Sequence, residues 1–154
     1  MRRQTPKRKI KPDPKFGNIT VAKFINHVMR KGKKSVATQI VYSCFEIISN
    51  KTKSDAMEIF ENALRNVAPD VEVKTRRIGG ANYQIPVAVM GNRKSTLGLR
   101  WIIDAARAKK GLQMSQKLAD EIIEASQGRG NAVKKRDDVY KMAESNRAFA
   151  HFLR

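Results

Sequence analysis

Val71-Glu72-Val73-Lys74-Thr75-Arg76-Arg77-Ile78-Gly79-Gly80-Ala81-Asn82-Tyr83-Gln84-Ile85-Pro86-Val87-Ala88-Val89 breaks the rhythm of the chain around it. Val71, Val73 and Thr75 alternate with Glu72, Lys74 and Arg76. After Gly79-Gly80, Ile85, Val87 and Val89 alternate again. Period-two patterning on both sides of a glycine pair predicts a β-hairpin at about 71–90, with a loop of several residues. Two strands alone are marginal in water. The hairpin must therefore pack partly on helices or project towards a partner.

On either side the apolar period is helical. Val21, Phe24, Ile25, Val28 and Met29 mark a helix over 20–30, which Gly32 ends. A second helix, 35–49, carries a wide apolar stripe of Val36, Ile40, Val41, Cys44, Phe45 and Ile48. A third spans 56–67, with Asp55 as cap, Glu58 three residues on, and Pro69 as stop. A fourth covers 96–110 from a Ser95 or Thr96 cap. A fifth covers 116–127 from Ser115, and a sixth starts at Asp137 or Asp138 and carries Val139 through Leu153. Residues 1–18 hold Pro6, Pro12 and Pro14 among many cations and read as an extended arm. The expected fold is mainly α: a bundle of about six helices over 19–154, one protruding β-hairpin and an extended basic N-terminal arm. Trp101 is expected mainly in the core.

Charge restricts the function. The chain has 154 residues, 32 Lys and Arg against 14 Asp and Glu, and a net charge of +18. The cations cluster at element ends: Arg2-Arg3, Lys7-Arg8-Lys9, Arg30-Lys31-Gly32-Lys33-Lys34, Arg76-Arg77, Arg93-Lys94, Lys109-Lys110 and Lys134-Lys135-Arg136. Such charge repels itself unless a polyanion neutralises it, and nucleic acid is the obvious one. With 41% apolar residues the chain can still build a core. Aromatics, at 6%, are too sparse for a base-stacking sheet. A single cysteine fits a reducing compartment. No apolar run approaches the ~20 residues of a membrane span, and no apolar segment follows the basic N-terminus as in a secretory signal.

Enzymatic signals are poor. His27 and His151 are far apart and lack carboxylates at suggestive spacing. Cys44 sits in an apolar run and reads as a small core residue. Gly32-Lys33-Lys34-Ser35 lacks the strand and first glycine of a P-loop, and Gly128-Arg129-Gly130 lacks the third glycine of a dinucleotide site. The expectation is no catalytic residue, no metal and no cofactor. Seven basic clusters instead point to phosphate contacts. Neutralising six to ten phosphates costs roughly 10³–10⁵ in affinity between 50 and 200 mM salt. Lys134-Lys135-Arg136 lies just before an expected helix N-terminus, where a docked phosphate offsets the macrodipole. The hairpin tip combines Arg76, Arg77, glycines, amides and Tyr83, a set suited to folded RNA. The same glycines equally suit a plain turn with Tyr83 packed back on the strands. The break at 30–35 also permits a helix-turn-helix DNA-binding regulator, although the following helix offers only Ser35, Thr38 and Gln39 to base edges.

Several ordered motifs resemble one family. They are Pro12-Asp13-Pro14-Lys15-Phe16-Gly17, Gly32-Lys33-Lys34-Ser35 followed by Ile40-Val41-Tyr42, the whole hairpin, Leu99-Arg100-Trp101-Ile102, and Ala132 through Val139 followed by Met142 through His151. The chain resembles the family of small ribosomal subunit protein seven, of bacterial and organellar type, over nearly its whole length. The resemblance implies a helical bundle with a protruding hairpin that binds the 3′ major (head) domain of small-subunit ribosomal RNA and nucleates head assembly. It implies a place near the exit-site transfer RNA and the messenger path, ribosomal proteins of the head and platform as neighbours, no membrane and no homo-oligomer. The location is then the bacterial cytoplasm or an organelle matrix. By that likeness Arg2, Arg3, Lys7, Arg8, Lys9, Lys11, Lys33, Lys34, Lys74, Arg76, Arg77, Arg93, Lys94, Arg100, Arg107 and Lys109 are expected at ribosomal RNA. The basic clusters add Lys110, Lys134, Lys135 and Arg136. Gly79, Gly80, Asn82 and Tyr83 at the tip, with Lys141, Asn146 and Arg147 on the last helix, are expected on the transfer and messenger RNA side. Met90-Gly91-Asn92-Arg93-Lys94 departs from the more proline- and arginine-rich stretch of many relatives, and the C-terminal extension of some relatives has no counterpart here.

Overall fold

Residues 10–153 are described by this computed structural model, with side chains through residue 150. Arg2, Arg3, Lys7, Arg8 and Lys9 lie outside the described residues. The described chain forms α1 (Ile19–Val28), α2 (Lys34–Thr52), α3 (Ala56–Val67), strands β1 (Val71–Ile78) and β2 (Ala81–Ala88), then α4 (Asn92–Ala108), α5 (Met114–Ser126), α6 (Asn131–Ser145) and a 3₁₀ turn, Arg147–Leu153. This is the mainly α bundle with one hairpin that the apolar periods predict.

Helix α5 lies at the centre, packed on α2, α3 and α4. Its Leu118, Ala119, Ile122 and Ala125 are fully buried. Phe60 of α3 meets Phe24 of α1 at 5.1 Å and Phe45 of α2 at 5.4 Å between ring centroids. Each such ring contributes roughly 1.5–3 kcal/mol by leaving water. Local chemistry starts two helices as expected. Asn18 accepts the Thr20 N–H at 2.7 Å before α1, and Asp55 accepts the Met57 N–H at 3.0 Å before α3. Gly98 lets α4 approach α3. A Cβ there would stand 2.8 Å from Leu64 Cδ1 and 3.3 Å from Ala68 Cα. Trp101 is half-buried against the core, in line with its expected role.

Several expectations are corrected. The hairpin has a two-residue turn, not a loop of several residues, and the strands run to Ile78 and Ala81. Gly79 and Gly80 both adopt positive φ (57° and 90°), as the tightest hairpin turn demands. Helix α4 starts at Asn92 and α5 at Met114, before the expected hydroxyl caps, and neither has a side-chain cap. Val36 is 49% exposed, because the buried stripe of α2 runs through Ala37, Val41, Cys44, Phe45 and Ile48. The last helix stops at Ser145. Asn146 turns its amide back onto the Met142 carbonyl at 2.8 Å, and the chain tightens into the 3₁₀ turn.

Residues 13–18 also form a turn where an extended arm was expected. Asp13 is 5% exposed. Its Oδ2 accepts the Lys15 and Phe16 N–H groups at 3.1 and 3.2 Å, and the Tyr42 hydroxyl donates to its carboxylate at 3.0 Å. Phe16 packs edge-on against Phe45 at 5.0 Å. The turn is thereby pinned to α2.

Candidate nucleic-acid interface

The expected RNA residues divide by what they touch. Lys33 and Lys34 flank the start of α2, Arg76 and Arg77 lie near the hairpin tip, and Arg100, Lys110, Lys134, Lys135 and Lys141 lie on helical surfaces or turns. All nine are exposed, and none forms an ion pair among the described residues. Lys11 is exposed just before the pinned turn. The remaining cations are held. Lys74 and Arg93 share Glu72 at 3.0 and 2.8 Å. Lys94 pairs with Asp70, and Lys109 bridges Glu121 at 2.9 Å and Glu124 at 3.0 Å. Arg107 reaches the Val28 carbonyl at 3.4 Å and Asp104 at 3.7 Å.

The electrostatics follow these contacts. Burial opposes ionisation of Glu72, but Arg93 and Lys74 outweigh it and hold the carboxyl below its ordinary value. Burial likewise works against the Lys109 charge, and Glu121 with Glu124 reverse the balance, so its pKa rises. These pairs join the hairpin base to α4, and the end of α4 to α5.

Helix starts show the sharper pattern. Cations near a helix N-terminus oppose the macrodipole by about 0.3–1 kcal/mol each. At α4, Arg93 and Lys94 are answered by Glu72 and Asp70 from the hairpin base. At α6 the expected position of the helix start is corrected. The helix starts at Asn131, six residues before Asp137, so Lys134-Lys135-Arg136 lies inside it. Its Ala132 N–H is taken by the buried Glu121 Oε1 at 2.8 Å. Arg136 turns inward to the Asn66 carbonyl and to Asp137 at 2.6 Å. At α2 no carboxylate answers Lys33 and Lys34, and no side chain caps the helix.

The hairpin arginines diverge. Arg76 pairs across the strands with Tyr83, and Arg77 with Asn82. Paired residues share a face and neighbours alternate, so the two guanidinium groups leave opposite faces. A flat surface meets one of them, whereas a groove that wraps the tip meets both. Tyr83 packs edge-on against Phe149 of the 3₁₀ turn at 5.2 Å, and Asn146 reaches Gln84 at 3.4 Å. The structure thus joins β2 to the end of α6 and the 3₁₀ turn, through Tyr83 and Asn146. Gly79, Gly80 and Asn82 are exposed at the tip, Lys141 on α6, and Arg147 pairs loosely with Glu144 at 3.5 Å.

A profile of the ribosomal protein S7p/S5e family matches residues 1–147. The chain belongs to the ribosomal protein S7p/S5e family. It is 55% identical over 151 residues to small ribosomal subunit protein uS7 of Cellvibrio japonicus (strain Ueda107), covering 98% of this chain and 97% of the relative. It is 56% identical, with the same coverage, to the uS7 protein of Dechloromonas aromatica (strain RCB). The uS7 protein of Thermotoga maritima is 55% identical, again over 98% and 97%.

Within this S7p/S5e-family chain, Arg30 escaped the sequence assignment. It belongs to the basic cluster at residues 30–34, yet only the structure sets it beside Lys33 and Arg107 around one cavity. Cys44 is fully buried, and burial, with some help from Asp120, pushes its thiol far up. Burial lowers the pKa of His27, and Arg100 and Lys23 lower it further, so the imidazole stays neutral at pH 7. Helix α2 packs on α1, α3 and α5, with Ser35 and Gln39 exposed near its start.

Proposed function

We infer that this chain is a non-catalytic structural constituent of the small ribosomal subunit, binding the 3′ major domain of its ribosomal RNA and nucleating assembly of the head. The single observation that carries the reading is the set of exposed, unpaired cations at the α2 start, the hairpin tip and the outer faces of α4 and α6. Membership of a ribosomal family supports it. In this reading Lys11, Lys33, Lys34, Arg76, Arg77, Arg100, Lys110, Lys134 and Lys135 meet ribosomal RNA phosphates, joined by the arm cations Arg2, Arg3, Lys7, Arg8 and Lys9. The ion-paired Lys74, Arg93, Lys94, Arg107 and Lys109 hold the scaffold and present their outer sides to the same RNA. The hairpin tip and the end of α6 face exit-site transfer RNA and the messenger path. Other proteins of the head and platform are its neighbours, it acts as one copy, and it works in the bacterial cytoplasm, where its curated relatives belong.

Binding of the purified protein to a head-domain fragment of small-subunit ribosomal RNA tests this. The fragment is expected to bind tightly with a steep salt dependence, and duplex DNA far more weakly. Arg76→Ala with Arg77→Ala should lower the slope of log K against log salt by about 1.4–1.8, with unchanged helical circular dichroism. Equal affinity for duplex DNA, or no binding at low salt, would sink the reading.

A further inference from the structure

A groove of about 300 Å³ opens between the α1–α2 turn and the α4–α5 turn. Val36, Ile40 and Met114 supply apolar surface, and Arg30, Lys33 and Arg107 stand around it. No carboxylate lines it. Among the described residues the only carboxylate paired with any of the three cations is Asp104, 3.7 Å from Arg107 and itself largely exposed. Val36 is one of the few large apolar residues left 49% exposed on the described surface. Arg107 is fixed at the edge by the Val28 carbonyl at 3.4 Å. Its charge is disfavoured first by burial and then by Arg30, and the exposed Asp104 offsets this only in part.

The two halves of the groove ask for different chemistry. An apolar side chain from a protein would leave three cations unmatched. A bare phosphate would leave the apolar surface exposed. A nucleotide satisfies both, because unstacked bases lie against apolar side chains and guanidinium planes while their phosphates take the cations. Size agrees, since the groove stands at the lower end of the roughly 300–1,000 Å³ of ligand clefts. A cleft of that size suits a single base.

We propose that this groove takes a single unstacked nucleotide of the bound RNA, its base on Val36, Ile40 and Met114 and its phosphates on Arg30, Lys33 and Arg107. The inference rests on the RNA-binding reading above and adds a base-specific contact to it. Val36→Trp fills the groove and keeps every cation, and a half-exposed position leaves the fold free to tolerate it. With the head-domain RNA fragment, Val36→Trp should weaken binding roughly 5- to 150-fold, the range of one lost base-stacking contact. The salt slope should stay the same, and chemical probing of base edges should show one nucleotide newly exposed. Lys33→Met should do the converse, lowering the slope by about 0.7–0.9 while that base stays protected. Wild-type affinity and an unchanged footprint for a folded Val36→Trp protein would overturn the proposal, and so would a weakening spread evenly over the whole footprint. Both results leave the RNA-binding reading intact. Failure of the wild-type protein to bind the fragment overturns that reading as well.

Discussion

Replacing Glu121 with Ala tests whether a carboxylate from α5 starts α6. Glu121 is fully buried. Its Oε1 accepts the Ala132 N–H at 2.8 Å, and Lys109 Nζ stands 2.9 Å from its Oε2. Ala132 is also fully buried, so the variant strands its donor away from water, a cost of about 1–3 kcal/mol. One buried methylene is lost, worth about 0.8 kcal/mol. Lys109 keeps Glu124 at 3.0 Å, and 21% of its side chain meets solvent. Its share therefore falls well short of the roughly 3–5 kcal/mol of a stranded buried charge. The expected loss is about 2–5 kcal/mol. Glu121→Gln retains an oxygen for Ala132 but turns its NH2 towards Lys109 in place of an acceptor, so it should be damaged less than the Ala variant. Urea unfolding at high salt, where surface repulsion is screened, measures both. A loss of about 3 kcal/mol moves the midpoint by roughly 1–3 M. Hydrogen exchange at Ala132 reports the cap directly. The reasoning fails if Glu121→Ala unfolds within about 0.5 kcal/mol of wild type with the Ala132 amide still protected.

Gly130→Ala strikes the same joint from the other side. Gly130 has φ 94° and ψ 171°, and a Cβ there would stand 2.9 Å from Glu121 Oε1. Backbone strain alone costs about 1–3 kcal/mol, so the melting temperature should fall clearly; a neutral outcome would show that α6 has another way to start. Glu72 supplies a pH signature. Its folded pKa lies below the ordinary 4.5, so the unfolded chain takes up its proton first as pH falls, and stability is lost from about 4.5 downward. Glu72→Gln should flatten that part of the stability curve, and an identical acid limb in both proteins would contradict the Arg93 and Lys74 pairing. Asp13→Ala removes three donors' acceptor and should cost about 1.5–3 kcal/mol. Tyr42→Phe should cost about 1 kcal/mol, and equal losses by thermal melting would mean that the backbone turn contributes nothing.

Helices were legible wherever sequence and burial share a period. α3 matches its expected bounds because Asp55 caps it within the chain, and Met57, Phe60, Leu64 and Val67 share one face. Legibility fails where a distant residue supplies the local signal. Asp137 and Asp138 look like the start of α6, but the acceptor that starts it is Glu121, 11 residues from Ala132 in sequence. α4 deceives in the same way, since its first-turn cations are balanced by Glu72 and Asp70 from the hairpin base. Asp13 reads as one acid in a basic arm, and only folding shows it as the anchor of a turn. The candidate interface was legible as a set of basic clusters. It was not legible which of them the protein spends on itself, because that depends on where the few carboxylates land.

That allocation carries the functional argument. A chain with 32 cations and 14 carboxylates cannot neutralise every helix start. Three of the carboxylates serve joints of the bundle. Glu72 and Asp70 tie the hairpin base to α4, and Glu121 ties α5 to α6 and to the end of α4. Removing any of these would loosen the scaffold whatever the protein binds. Lys33 and Lys34 receive none, although they bear against the α2 macrodipole as Arg93 and Lys94 bear against that of α4. The hairpin arginines near the tip also receive none, and they point to opposite faces. Charge kept without an internal partner, at a position where it costs stability, is accounted for by an external anion that removes the cost on binding. The fold thus divides its cations between those that hold it together and those without an internal partner among the described residues, which the proposed function assigns to phosphate.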